Sequence, residues 1–323
     1  PTNPIGWDKP PHNLTEVTFP PAANRATRRA ALKAGDIDMT YEVPPADTES
    51  LKKEANVKVL EGPETRVVFL GFDQERPELL ESNVKGKNPF KDKKVREAIH
   101  RSIDVAAIKR TVMRGQSFPT NLMVAPGING YMKDLDKRPA LLKPDEAKKM
   151  LADAGYPNGF EVGMDCPNDR YVNDEKICQA VVAMLAKIGV KVNLKAQTRN
   201  LYFAKILRKN DLSPGETSFY MLGWSPAQTY DVHNVFEALI QTPNKATKKG
   251  QFNAGGYSNP ELDKLAPAMG QETDKAKRDD MIAKATKLYV DDFAYIPLHQ
   301  QALVWAARKN IDLVQRADNS FPL

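Results

Sequence analysis

At 323 residues the chain has room for two domains, each with a core of its own. The hydrophobic fraction of 41% with 27% charged residues is that of a globular protein, and no stretch approaches the roughly 18 uninterrupted apolar residues of a membrane-spanning helix. The net charge of +6 is scattered in ones and twos among acids, as in Lys91-Asp92-Lys93-Lys94 and Lys143-Pro144-Asp145-Glu146, and no nucleic-acid-reading motif goes with it, so a solvated basic surface is expected and nucleic acid is not.

In chain order, the opening to about residue 19 is rich in Pro and Asn and reads as extended loop leading into a strand, Glu16-Val17-Thr18-Phe19. A helix follows, with Pro21 in its first turn and Gly35 at its end. Then come a short strand Ile37 to Tyr41, a helix capped by Asp47, and two strands, Val57 to Leu60 and Thr65 to Phe72. The last is a continuous apolar run, the pattern of a strand buried on both faces. Residues 76–90 are polar, with Gly86, Asn88 and Pro89, and read as a linker. Asp92 caps a helix with Val95, Ala98, Ile99 and Ile103 on one face, Asp104 starts another, and Pro144 opens a third after the irregular segment 119–139.

Residues 160–196 form the clearest unit. Phe160 to Met164 is a strand, and Asp174 caps a helix with Ile177, Ala180, Val181, Met184, Leu185 and Ile188 at helical spacing. Gly189 ends that helix and Val190 to Leu194 is a second strand, which makes a βαβ crossover with parallel pairing. Helix 199–208, strand 217–222, helix 232–241, helix 273–290 and late strands Ala294 to Leu298 and Ala302 to Ala307 continue the alternation. The fold class is α/β.

Catalytic patterns are missing from the sequence. There is no Gly-x-Ser-x-Gly elbow, no phosphate-binding loop and no Gly-x-Gly-x-x-Gly after a strand, so no cofactor is expected. The four histidines lie in separate elements, and Asp231 with His233 is a weak metal pair better read as a loop carboxylate capping the next helix. Two cysteines, Cys166 and Cys178, stand twelve apart with no metal-ligand neighbour; a cytosolic protein leaves such a pair as thiols and an exported one more often joins them. One segment stands out: the strand Phe219-Tyr220-Met221-Leu222 delivers Gly223-Trp224 into Ser225-Pro226-Ala227-Gln228-Thr229-Tyr230-Asp231 ahead of a helix. Strand ends followed by helix starts are where α/β proteins hold ligands. Trp224 is either a flat apolar wall of such a site or a core residue.

In order along the chain, Arg28-Arg29-Ala30-Ala31-Leu32-Lys33-Ala34-Gly35-Asp36-Ile37-Asp38, Asn88-Pro89-Phe90-Lys91-Asp92-Lys93-Lys94-Val95-Arg96-Glu97-Ala98, Ala154-Gly155-Tyr156-Pro157-Asn158-Gly159-Phe160, Gly223-Trp224 and Ile296-Pro297-Leu298 resemble the family 5 extracellular solute-binding proteins, the dipeptide- and oligopeptide-binding components of ABC importers. The resemblance implies a periplasmic-binding-protein-like clamshell: residues 1–85 as part of lobe I, 86–296 as a complete lobe II, and 297–323 as the return to lobe I. It also implies that the chain begins partway into the family's sequence, in line with an opening Pro1-Thr2-Asn3-Pro4 that has no leader-like pattern, and that the tail stops short after Phe321-Pro322. It implies an exported, periplasmic, monomeric protein without catalytic activity that takes a peptide or small-molecule ligand to permease subunits, with Cys166 and Cys178 joined. Family peptide binders hold the ligand ammonium with an Asp three residues after the Trp; here that position is Ala227. The implied ligand contacts are therefore Trp224, Ala227, Tyr230 and Asp231 from one loop, with Arg170 and Tyr171 from the loop after Cys166. Asp231 is expected to take positive charge and Arg170 negative charge, the alternative for Arg170 being a surface pair with Asp169 or Asp174. Competing readings are a non-peptide solute (opine, glycoside or metal chelate) and a hydrolase using Asp231 and His233.

Overall fold

The computed structural model describes residues 13–22 and 24–320. The loop expected over 1–12 and the tail residues Phe321-Pro322 lie outside the described residues. By compactness the chain forms two units, residues 1–62 with 303–323 and residues 63–302. Compactness thus groups 63–85 and 297–302 with the second unit. The chain leaves one unit for the other inside two long strands, β2 (Val57–Phe72) and β7 (Tyr295–Arg308).

In the first unit, α1 (Arg25–Ala34) starts later than Pro21, because the Asn24 side chain accepts the Thr27 N–H and supplies the cap. Gly35 closes it at φ 89°, a conformation that glycine adopts without strain. The strand expected at Glu16–Phe19 does not form; these residues are largely exposed. β1 is only Met39–Thr40, paired antiparallel with Ala307 and Ala306. In α2 (Pro45–Lys52) Asp47 sits in the first turn rather than at the cap, and its carboxylate pairs with Arg29 at 2.5 Å. Leu32, Val43, Leu51, Val57, Val304 and Ala306 form this unit's core.

The second unit is a mixed sheet covered on both sides, in the order β7-β2-β6-β4-β5, with β3 (Ser117–Pro119) along β7. Here β6 is Phe219–Trp224, β4 is Phe160–Pro167 and β5 is Val190–Gln197. β2 and β6 run antiparallel, while β4 is parallel to both β5 and β6. Successive strand residues face opposite sides, so each face needs its own apolar set. On one face Val68, Leu70, Phe72, Phe219 and Met221 pack with Phe90 and with α3 (Lys93–His100), α4 (Val105–Thr111), α5 (Pro144–Asp153) and α6 (Asp174–Ala186). On the other, Phe69, Tyr220 and Leu222 meet α7 (Arg199–Ile206), α8 (His233–Val235) with the π turn Phe236–Ile240, α9 (Pro260–Gln271) and α10 (Lys275–Asp291). The uninterrupted apolar run of β2 is the result.

The β4-α6-β5 crossover forms as its periodicity predicts, with Ile177, Val181, Leu185 and Ile188 buried. Several expected elements differ. The pairs of strands at 57–60 and 65–72, and at 294–298 and 302–307, are each one strand. The helix at 232–241 is a three-residue α-turn continued by the π turn. Asp174 does not cap α6, since Asn173 holds that position at φ 57° and the Asp174 carboxylate is used elsewhere. Helix α9, N-capped by Asn259 through the N–H groups of Glu261 and Leu262, was not expected. Residues 76–90 hold no element beyond the start of a 3-10 turn, Pro89–Lys91, yet Leu79 and Phe90 are buried, so this stretch packs into the unit. Among the described residues no helix is long and apolar enough to cross a membrane.

Candidate functional site

β4 and β6 are parallel, with Met164 opposite Phe219 and Asp165 opposite Tyr220, so their C-terminal ends emerge at the same sheet edge. Two connections start there: loop 168–173 after β4 and the turn 225–232 after β6. Parallel strand ends feeding helices make such an edge a natural ligand position.

The first loop is held from several sides. Asp174 Oδ2 accepts the N–H groups of Arg170 and Tyr171 at 2.8 and 2.9 Å, and Gln301 Oε1 accepts the Val172 N–H at 3.1 Å. Cys166, at the end of β4, is joined to Cys178 in α6 by a disulfide with a Cα–Cα distance of 6.6 Å. Tyr171 is buried, and its hydroxyl accepts the Gly223 N–H at 2.8 Å. Burial pushes the Tyr171 phenol up, and the nearby Arg170 and Arg66 charges offset this only in part, so it stays protonated at neutral pH. A Cβ on Gly223 would stand 2.7 Å from the Tyr171 ring, so only glycine admits this approach.

Arg170 is the exception to this tight bonding. Its guanidinium carbon lies 5.1 Å from the Tyr171 ring centroid, a cation–π contact, and the guanidinium makes no hydrogen bond or ion pair among the described residues. The expected surface pairs are not formed: Asp169 accepts the Arg199 N–H at 2.6 Å, and Asp174 is occupied by backbone. Beside it, Arg66 donates from Nε to Glu64 at 3.0 Å and from a terminal nitrogen to the Gly223 carbonyl at 3.4 Å.

The turn after β6 spends its polar groups on neighbouring residues of the protein. Trp224 is half-buried; its Nε1 donates to Asn234 Oδ1 at 2.8 Å and its ring lies 4.7 Å from that of Phe252. It is thus both part of the core on that face and partly open. Ser225 and Thr65 share a hydroxyl hydrogen bond of 2.6 Å. Ala227 is partly exposed and Tyr230 is 38% exposed at φ 51°. Asp231 accepts from Arg278 at 2.7 Å, from Asn129 at 2.7 Å and from the His233 N–H at 2.8 Å. Burial pushes the Asp231 carboxyl up, but these donors and the Arg278 charge outweigh it and hold the group below the ordinary carboxylate range. The helix-start carboxylate reading of Asp231 matches this geometry; positive charge from outside would have to displace Arg278.

His233 Nδ1 lies 3.9 Å from Glu237, and burial pushes its pKa down, so it is neutral at pH 7. Among the described residues no three His, Cys, Asp or Glu side chains gather into a metal-binding group. Glu64, Arg66 and Gln301, which link Val172 to the Gly223 carbonyl, escaped the sequence reading. Their signal was present as polar residues interrupting the apolar runs of β2 and β7, and it reads as strand breaks.

Residues 3–247 match the family model of bacterial extracellular solute-binding proteins, family 5 Middle. The glutathione-binding protein GsiB of Escherichia coli K12 is 26% identical over 305 residues, which is 94% of this chain and 56% of GsiB. The dipeptide-binding protein of Pseudoalteromonas sp. SM9913, solved with Met-Leu, superposes with a TM-score of 0.76 at 22% identity, over 91% of this chain and 54% of that one. AgaA of A. tumefaciens R10, solved with agropinic acid, gives 0.73 at 24% identity, over 89% and 54%. The chain therefore spans about half the length of the curated relatives it matches. Its α/β fold is that of the periplasmic binding proteins. The matched model, covering most of the sequence, and the shared fold lead to one conclusion: the chain belongs to family 5 of the bacterial extracellular solute-binding proteins.

Proposed function

We propose that this chain is part of the extracytoplasmic substrate-binding component of an ABC importer, and that it captures a peptide or peptide-like small solute without altering it. In this reading residues 1–85 and 297–323 contribute to one lobe and 86–296 make the other, the lobes close on the solute, and the closed form of a periplasmic monomer meets the permease. The observation that carries it is Arg170: a guanidinium with no partner among the described residues, laid over Tyr171 beside the Gly223-Trp224 strand end. Arg170 takes a solute carboxylate through two parallel hydrogen bonds, and the open face of Trp224 supplies an apolar wall. Tyr230 and the small Ala227 border the same turn and complete the contact set. Asp231 serves chiefly to staple its turn.

A second reading is favoured by one further observation. With alanine at 227 and Asp231 engaged by Arg278, this turn offers a ligand ammonium no uncommitted carboxylate. That suits an acidic solute lacking a free amine, which fits the fold's use in AgaA, solved with agropinic acid.

Isothermal titration of the full-length protein with glutathione, Met-Leu and agropinic acid, together with mass spectrometry of co-purified solutes, tests both readings. A dissociation constant in the micromolar range or below for any of them, weakened at least tenfold in Arg170→Met, is the expected result. No retained solute, no binding and a measurable turnover of any panel member would sink the proposal.

A further inference from the structure

The loop that carries Arg170 is tied to two distant strands by a closed polar circuit. Gly223 N–H meets the Tyr171 hydroxyl at 2.8 Å, and one residue along, the Val172 N–H meets Gln301 Oε1 at 3.1 Å. Gln301 Nε2 donates to Glu64 Oε2 at 2.6 Å, Glu64 Oε1 accepts from Arg66 Nε at 3.0 Å, and Arg66 returns to the Gly223 carbonyl at 3.4 Å. Glu64 is fully buried and Gln301 is 2% exposed. The neighbouring Gln300 also reaches this strand, donating to the Glu64 carbonyl at 2.8 Å.

Burying a carboxylate is costly, and apolar residues of similar size stabilise a core at least as well as a buried ion pair. Stability alone is thus a poor reason for a buried Glu64 and Gln301 in these two strands. What the pair supplies is direction: a carboxylate fixes which end of the Gln301 amide faces Val172, so the amide oxygen points at the loop. We propose that Gln301 and Glu64 are positioning residues that set loop 168–173 against the Gly223-Trp224 strand end, and so fix where Arg170 presents its charge. This rests on the reading of that loop as part of the solute site. The pair also stands at residues 64 and 301, next to the points where β2 and β7 pass between the two compact units, so the loop takes its register from the crossing strands themselves.

The test is hydrogen exchange read by mass spectrometry on the full-length protein without solute. Gln301→Leu removes both the acceptor for Val172 and the donor to Glu64. The expected result is at least tenfold faster exchange of the amides at 170–172, with the β4 and β5 segments within twofold of the parent. The paired exchange Glu64→Gln with Gln301→Glu restores an acceptor for Val172 and an amide–carboxylate contact with reversed roles, and protection should return to within about threefold. Unchanged exchange in Gln301→Leu overturns the proposal. If that variant does not fold, the paired exchange is compared with Gln301→Glu alone, which sets two carboxylates side by side; no recovery in the pair likewise overturns it. Titration of these proteins with glutathione, Met-Leu and agropinic acid separates the two levels. Affinity at least tenfold weaker in Gln301→Leu supports a positioning role for the solute. A loop that loosens and recovers while a bound panel member keeps its affinity overturns the solute-site reading and, with it, this role.

Discussion

The two connections at the end of β4 and β6 spend their charged side chains differently. Loop 168–173 is held through its backbone by Asp174 and Gln301, through the Asp169, Tyr171 and Asn173 side chains and by the disulfide at its base, while the Arg170 guanidinium makes no hydrogen bond or ion pair among the described residues. The turn 225–232 is held by backbone bonds of Asn129 to Tyr230 and Val232 and also spends its charge, with Asp231 on Arg278, Asn129 and His233. A charged residue in a strand-end loop therefore says little about ligand contact until its partners are counted. Arg170 and Asp231 look equally suitable in the sequence, and only one has charge to spare.

The largest effect expected from breaking this contrast lies under the first loop. The double change Cys166→Ala/Cys178→Ala opens a short covalent ring and should cost about 3 kcal/mol in urea unfolding. It should loosen loop 168–173 while leaving exchange in the turn 225–232 near the parent. Gly223→Ala strikes both connections at once, since the added carbon meets the Tyr171 ring at 2.7 Å. Overpacking of that kind costs about 2 kcal/mol, and the same denaturation assay checks it. Asp231→Ala strips the staple from the turn and leaves Arg278 without its carboxylate partner, for about 1.5 kcal/mol.

The pH profile sharpens the same point. The folded protein holds the Asp231 carboxyl below its ordinary value, so its stabilisation is present above about pH 4 and fades as pH falls through the depressed folded value. Thermal midpoints of the parent should fall more steeply below pH 4 than those of Asp231→Asn. Equal slopes would show that the turn does not depend on that charge. The smallest stability effect belongs to Arg170→Met, which should stay within about 0.5 kcal/mol because its guanidinium gives the fold only a cation–π contact with Tyr171. A loss of 2 kcal/mol there would show that Arg170 is structural after all and erase the contrast.

Much of the second unit was legible because its local and global signals agree. The spacing of Ile177, Val181, Leu185 and Ile188 defines α6, and the flanking Phe160 and Val190 strands fix a crossover. Several failures share a cause: polar or imino residues placed where the local pattern forbids them and tertiary partners permit them. Gly62-Pro63 lies in the gap left between the strands expected at 57–60 and 65–72, yet β2 continues through it beside β7. His299-Gln300-Gln301 reads as a gap between two strands, yet the glutamines stay extended because Glu64 and Val172 take their amides. In α9, Pro267 and Gly270 mask a helix that Asn259 caps and whose Leu262, Ala266 and Met269 are buried. The Trp224 turn was recognisable from Gly223-Trp224, whereas the commitment of Asp231 to Arg278 spans 47 positions and leaves no local trace.

Both sulfur atoms of the Cys166–Cys178 bridge belong to residues with no solvent-exposed surface, set between β4 and α6. A thiol reagent acts by in-line attack on sulfur, so the native molecule shields this bond from reductant for as long as that layer stays shut. Oxidation in turn has to precede or accompany closure of the layer. A preparation refolded under reducing conditions should trap two enclosed thiols, silent to alkylation until denaturant is added, and adding an oxidant afterwards would not bring the bridge back.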